Sequence, residues 1–316
     1  MASMFSENAD LFSSDRSADY LAQWLDDYRT IIALPPVDIA DPTALNQQEL
    51  AELRQRVAVA NFVLYRCAQP ISETAVLSLC RQLGLQNLHQ PGVASGLKRI
   101  EVSTGPKARY IPYTNSELNW HTDGYYYPEP QRIRGMLLHC VRPALEGGAT
   151  ELVNHEIVYA LLAQRDPAYA AALSQPDMMT IPANTQAPDG PRQAHSGPVF
   201  WRGPDHVYMR YTTRRHNIQW RQDPLSREAL EVLREILSQR TDLVFHRQLK
   251  PAEGVLSNNT PHRRGPFQDS TERHQGRLFY RGRFHDSIHI SLQATKDALA
   301  RVDRRCAGET QPGSAL

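Results

Sequence analysis

From about residue 100 onward the sequence breaks into short apolar or alternating runs separated by Gly, Pro, Asn and Asp, as in Gly135 to Val141, Ala149 to Val153 and His206 to Tyr211. Runs of this length suit strands and are too short for buried helices, so the stretch reads as a sandwich or jelly roll. Leu243 to Phe245, Leu278 to Tyr280 and His289 to Leu292 extend the pattern. Helical spacing interrupts it twice, at Ile157 to Leu162 and at Leu230, Leu233, Ile236 and Leu237, the second with Ser226 as its expected cap and Glu228 in its first turn. Pro182 to Pro198 is rich in Pro, Gly, Asn and Gln and is read as an insert or lid over an active site.

Ahead of this lies a stretch of different texture. Ser17 is placed to cap a helix carrying Leu21, Trp24, Leu25 and Tyr28, and Leu50, Leu53 and Val57 suggest another near Gln47. Phe62 to Tyr65 reads as a strand, and Ser72 caps a helix that runs to Leu83 with Gly84 as its stop. The expected organisation is one α+β domain over 1–316, with a helical prelude at 1–60, a core at about 61–292 and a tail at 293–316.

Charge narrows the partners. Thirty-five Lys and Arg against 34 Asp and Glu leave a formal charge of +1, so no bulk electrostatic term draws the chain to nucleic acid or an anionic membrane. A small-molecule substrate fits better, with a homo-oligomer left open. Cys67, Cys80, Cys140 and Cys306 include no C-x-x-C pair, which argues against a thiolate zinc site and a disulfide framework. No stretch approaches the roughly 20 apolar residues of a membrane span. The start of the chain lacks the basic and apolar segments of a secretory signal, and the expected compartment is the cytoplasm.

The sharpest chemical signal is Asn119-Trp120-His121-Thr122-Asp123-Gly124. In a strand, residues i and i+2 share a face, so His121 and Asp123 can reach one ion. A lone His-x-Asp is more often a surface hydrogen bond. A facial triad of two histidines and a carboxylate needs one further imidazole from a distant strand, and His262, in Ser257-Asn258-Asn259-Thr260-Pro261-His262-Arg263, is the candidate. Three protein ligands on one face leave three positions for a bidentate keto acid and dioxygen. His139, between Leu138 and Cys140, is instead read as a packed core residue.

Together these residues resemble the taurine dioxygenase-like (TauD/TfdA) family of Fe(II)/2-oxoglutarate-dependent dioxygenases, over roughly residues 55 to 290. Ile111 to Asn115 ahead of Leu118 to Gly124 is similar to the family's approach to its first ligand strand. Glu146-Gly147-Gly148-Ala149-Thr150 is similar to its Gly-Gly-x-Thr element. His262-Arg263-Arg264, Phe267 and Arg277-Leu278-Phe279-Tyr280-Arg281 follow its downstream order. In one departure, Asn258 and Asn259 sit four and three residues before His262, where the family has its Asn five or six before.

The resemblance implies a double-stranded β-helix (jelly-roll, cupin-like) core with flanking helices. It also implies iron on His121, Asp123 and His262, with 2-oxoglutarate held by Thr150 and Arg277. Arg281 falls where some members bind an anionic group of the prime substrate, and with Tyr125 it would favour a carboxylated or zwitterionic metabolite. Fe(II), 2-oxoglutarate and O2 would then yield succinate, CO2 and, by default, a hydroxylated product. A carboxylate ligand at Asp123 argues against a halogenase. The alternatives are a keto-acid-independent metal enzyme on the same scaffold, which would need neither Arg277 nor Thr150, and a catalytically silent binding protein.

Overall fold

In the computed structural model, residues 17–89, 96–105, 108, 110–185, 191–203, 206–214, 217–270, 272 and 275–288 are described. Two sheets form the frame. The larger has six strands in the order Val37–Ile39, Phe62–Cys67, Glu253–Ser257, Gly135–Arg142, Leu278–Phe284 and Lys98–Ile100. Its first pair is parallel and the rest are antiparallel. The smaller runs Phe245–Arg247, Thr150–Leu152, His262–Arg264 and Leu118–His121, all antiparallel. The chain passes from the larger sheet to the smaller three times, from Lys98–Ile100 to Leu118–His121, from Gly135–Arg142 to Thr150–Leu152 and from Glu253–Ser257 to His262–Arg264, and returns after each.

The N-terminal stretch is more than a helical prelude, because Val37–Ile39 edges the larger sheet beside Phe62–Cys67. Around it pack the helices Ser17–Ala33 and Gln47–Ala60. The first presents Leu21, Trp24, Tyr28 and Ile31 to the core, with the Tyr28 hydroxyl donating to the Leu243 carbonyl at 2.9 Å. The second begins with a capping box, in which Asn46 accepts from the Glu49 amide and Glu49 accepts from the Asn46 amide, two otherwise orphaned donors. Glu73–Gln82 starts from Ser72 as expected, and Gly84 at φ +90° turns the chain away.

The late helix begins earlier than its apolar spacing suggests. It spans Pro224–Gln239 with Asp223 as its cap, and Ser226, expected as the cap, donates its amide and hydroxyl to that carboxylate. Proline at the first helical position explains the shift, since its missing N–H is one no helix start could satisfy. Thr241–Leu243 forms a 3-10 turn, so the strand expected at Leu243 to Phe245 starts at Phe245. The strand expected at His289 to Leu292, the tail at 293–316 and Cys306 lie outside the described residues. His139 is buried and bonded to the Tyr65 hydroxyl at 2.9 Å, a core residue as read.

Within the insert read at Pro182 to Pro198, Met179–Ile181 pairs with His195–Gly197, and Asn184 and Arg192 exchange both backbone hydrogen bonds at 2.9 and 2.8 Å. Among the described residues, no helix is long and apolar enough to cross a membrane.

Candidate metal centre

His121 ends the strand Leu118–His121, and His262 opens its neighbour directly opposite in the register. Asp123 lies two residues beyond His121. The three ligand atoms fall within 4.8 Å of one another, and all three side chains are buried. The His121 Nδ1–H donates to the Asn119 carbonyl at 2.9 Å and the His262 Nδ1–H to the Thr260 carbonyl at 2.9 Å. A carbonyl can only accept, so both rings carry their proton on Nδ1 and turn the Nε2 lone pair inward, the tautomer a metal requires. Burial depresses the His121 pKa to about 3, with His262 pushing the same way, so the ring is neutral. His262 is lowered too, again by burial.

Burial alone would raise the Asp123 carboxyl, but Arg281 and then Arg283 hold it well below the usual carboxylate range. Arg283 grips it with two nitrogens, Nε to Oδ2 at 2.9 Å and Nη2 to Oδ1 at 3.2 Å, while Arg281 Nη1 approaches Oδ1 at 3.4 Å. The backbone is pinned as firmly. Asn259 accepts from the Asp123 amide at 2.8 Å and donates to the Asp123 and Ile133 carbonyls at 2.9 and 2.8 Å. Gly124, at φ +67°, makes the turn that follows, and a Cβ there would lie 2.5 Å from Ile133. Two neutral imidazoles and one ionised carboxylate converging from adjacent strands fit a divalent iron.

The departure noted before His262 has a structural sense. Asn259 takes a left-handed conformation, φ +51°, which Asn tolerates and which aims its amide at Asp123. Asn258 beside it donates to the Asn61 side chain at 3.0 Å and accepts from the Ile288 amide at 2.7 Å. Asn61 in turn donates to Asn154, the cap of the helix His155–Arg165, at 3.2 Å. A buried row of asparagines thus ties two helix ends to the metal turn.

Arg277 and Thr150 are not among the residues that line the cavity beside the triad. Arg277 is buried with its guanidinium 3.9 Å from the Phe279 ring centre and 5.3 Å from that of Phe267. Burial, then neighbouring Arg264, pulls its pKa down to about 9. No carboxylate within ion-pair range offsets this cation among the described residues. Thr150 is buried opposite Arg264 in the strand register, and Arg264 stacks on the same Phe267 ring at 4.7 Å. Of the other histidines late in the chain, His246 is exposed on its strand, and His274 lies outside the described residues.

Beside the triad opens a cavity of about 1340 Å3, walled by His121, Asp123, Tyr125, Tyr126, Arg281 and Arg283, among others. Ile181 to Asn184 and Arg192 supply another wall from the insert. Sequence reasoning missed Arg283 and the role of Asn259. The signal for Arg283 was present, since Arg281 and Arg283 alternate on a strand just as His121 and Asp123 do.

Comparison with known proteins agrees with this geometry. The family model for the taurine catabolism dioxygenase TauD, TfdA family matches residues 22–279. A uridine-5'-phosphate dioxygenase from Amycolatopsis sp is 26% identical over 274 residues, 80% of this chain and 95% of that protein. One from Streptomyces sp is 33% identical over 132 residues, 41% of this chain and 47% of that protein. The fold is shared with the non-heme iron oxygenase OrfP in complex with Fe and alpha-ketoglutaric acid, at TM-score 0.58 and 16% identity over 84% of this chain and 91% of that one. It is shared as well with PvcB from Pseudomonas aeruginosa, at TM-score 0.54 and 16% identity over 78% and 82% of the two chains. The chain belongs to the TauD/TfdA family and is an Fe(II)/2-oxoglutarate-dependent dioxygenase.

Proposed function

We propose that the protein hydroxylates a small anionic metabolite on a double-stranded β-helix core, with iron on His121, Asp123 and His262. The observation that carries this reading is the convergence of two Nε2 lone pairs and a carboxylate, each fixed by its own hydrogen bonds, at the wall of a large cavity. Bound Fe(II) supplies the redox chemistry that couples oxidative decarboxylation of 2-oxoglutarate to oxidation of the prime substrate.

The chain's own residues bind and orient. The carbonyls of Asn119 and Thr260 fix the two rings. Arg283 holds the Asp123 carboxylate ionised. Arg277 is the group for the distal carboxylate of the keto acid, because a buried guanidinium that makes no ion pair among the described residues, with only the more distant charge of Asp269 to offset its burial, gains most from a planar, bidentate partner. Thr150 adds its hydroxyl on the strand beside Arg264. The described part of the insert, which puts Pro182, Ala183, Asn184 and Arg192 on the cavity wall, covers the site and excludes water. Arg281 and Tyr125 face the substrate space. Arg281, already leaning on Asp123, presents its remaining nitrogens to a substrate anion.

The test is anaerobic titration with Fe(II) and then 2-oxoglutarate, following the visible charge-transfer band of a chelated keto acid. The band should form, vanish in His262→Ala and require far more 2-oxoglutarate in Arg277→Ala. Full metal occupancy without a band would return the chain to keto-acid-independent chemistry. The names of the two curated relatives place uridine-5'-phosphate among the first compounds to screen by succinate release.

A further inference from the structure

The cavity is larger than its iron and keto acid require. Ordinary ligand pockets occupy roughly 300–1,000 Å3, and this one encloses about 1340 Å3. Its wall is also unevenly charged, with six Lys and Arg side chains against three Asp and Glu. Two of the six, Arg281 and Arg283, are engaged with Asp123, and Arg99 lies 3.9 Å from Glu101. Arg192 and Arg214 are different. Neither makes an ion pair among the described residues.

Both line the cavity, from separate segments of the chain, together with Tyr125. Arg192 comes from the insert and sits over Tyr126, its guanidinium carbon 4.2 Å from the ring centre, with its buried Nε lacking a hydrogen-bond partner. A cation–π contact of this kind uses none of the guanidinium's N–H donors, which stay available to a ligand. Arg214 is exposed at the cavity wall. A carboxylate fills one guanidinium fork. Two forks from separate segments suit a doubly charged tetrahedral group that offers oxygens in several directions. Tyr110 and Tyr113 line the same cavity and give a planar ring system something to stack on.

We infer that the prime substrate is a nucleoside monophosphate, whose phosphate is held by Arg192 and Arg214 and whose ring-bearing body occupies the rest of the cavity. This names the substrate of the proposed oxygenase, and the binding it asserts does not depend on turnover. Arg192 thereby ties substrate binding to placement of the insert, because the residue that would read the phosphate also packs on Tyr126 beneath it.

The experiment is anaerobic calorimetry of the Fe(II)/2-oxoglutarate-loaded protein with the 5'-monophosphates of uridine, cytidine, adenosine and guanosine, each paired with its nucleoside. At least one monophosphate should bind 10-fold or more tightly than its nucleoside, by the strength of charge-assisted hydrogen bonds, about tenfold for each arginine. R192Q and R214Q should each remove about tenfold of monophosphate affinity and leave that of the nucleoside unchanged, with R192K retaining part of it. The inference is overturned if no monophosphate outbinds its nucleoside, or if the difference survives in the double variant. The keto-acid band is recorded on the same samples. A band without phosphate discrimination sinks this inference alone, whereas discrimination without a band sinks the dioxygenase mechanism and leaves the phosphate site standing.

Discussion

At the scale of single residues, the centre depends on groups that touch no metal. Asn259 makes three hydrogen bonds to the backbone around Asp123 and does so from a left-handed conformation. Asn259→Ala should therefore cost about 1–3 kcal/mol of stability by stranding buried partners. It should also weaken Fe(II) binding, read by titration with Fe(II) or Co(II) under argon, and unchanged metal affinity would show that Asp123 is placed without it. Arg283→Lys keeps one charge near Asp123 but loses the fork, so metal affinity should fall about tenfold with little change in melting temperature. The triad itself was legible, because period-two alternation and a third imidazole are patterns in sequence. The asparagine anchor was not, since its meaning depends on which backbone atoms the turn brings within reach.

At the scale of elements, most helices and strands could be read from apolar period and caps. The exceptions came where local chemistry outranked periodicity. Pro224 and Asp223 start their helix ahead of its apolar face, and Val37–Ile39 is too short for alternation to betray a strand. Asp223 accepts from the Ser226 amide and hydroxyl at 3.0 and 2.6 Å, so Asp223→Ala should lower stability by about 1 kcal/mol in urea unfolding. Ser226→Ala, which leaves the amide bond in place, should cost less. If Ser226→Ala were the more damaging, the cap assigned to Asp223 would be wrong.

For the whole molecule, burying neutral histidines makes stability depend on pH. Burial lowers His139 and His155 each to about 4. The unfolded chain takes up protons on these rings below about pH 6.5, and the folded chain does so only near 4, so folding stability falls as pH drops through that window. The slope is at most about 1.4 kcal/mol per pH unit for each ring. Melting temperatures measured from pH 7 to pH 5 should decline, and less steeply in His139→Gln. A flat profile would mean that these rings titrate in the fold as they do in water. None of this was visible in sequence, where His139 could be assigned to the core but not weighed.

The row of asparagines from Asn154 through Asn61 and Asn258 to Asn259 joins segments that leave the ribosome at very different times. His121 and Asp123 emerge early, as a two-ligand fragment whose carboxylate has neither Asn259 nor Arg283 to steady it. The third ligand, the anchor and the clamp all come from the later part of the chain. With iron on the proposed triad, a nascent protein would offer only a loosely held pair of ligands, and the full set would form when the late strands dock. Metal loading would then be a checkpoint on completed folding, since a chain stalled before residue 258 would lack the third ligand, the anchor and the clamp.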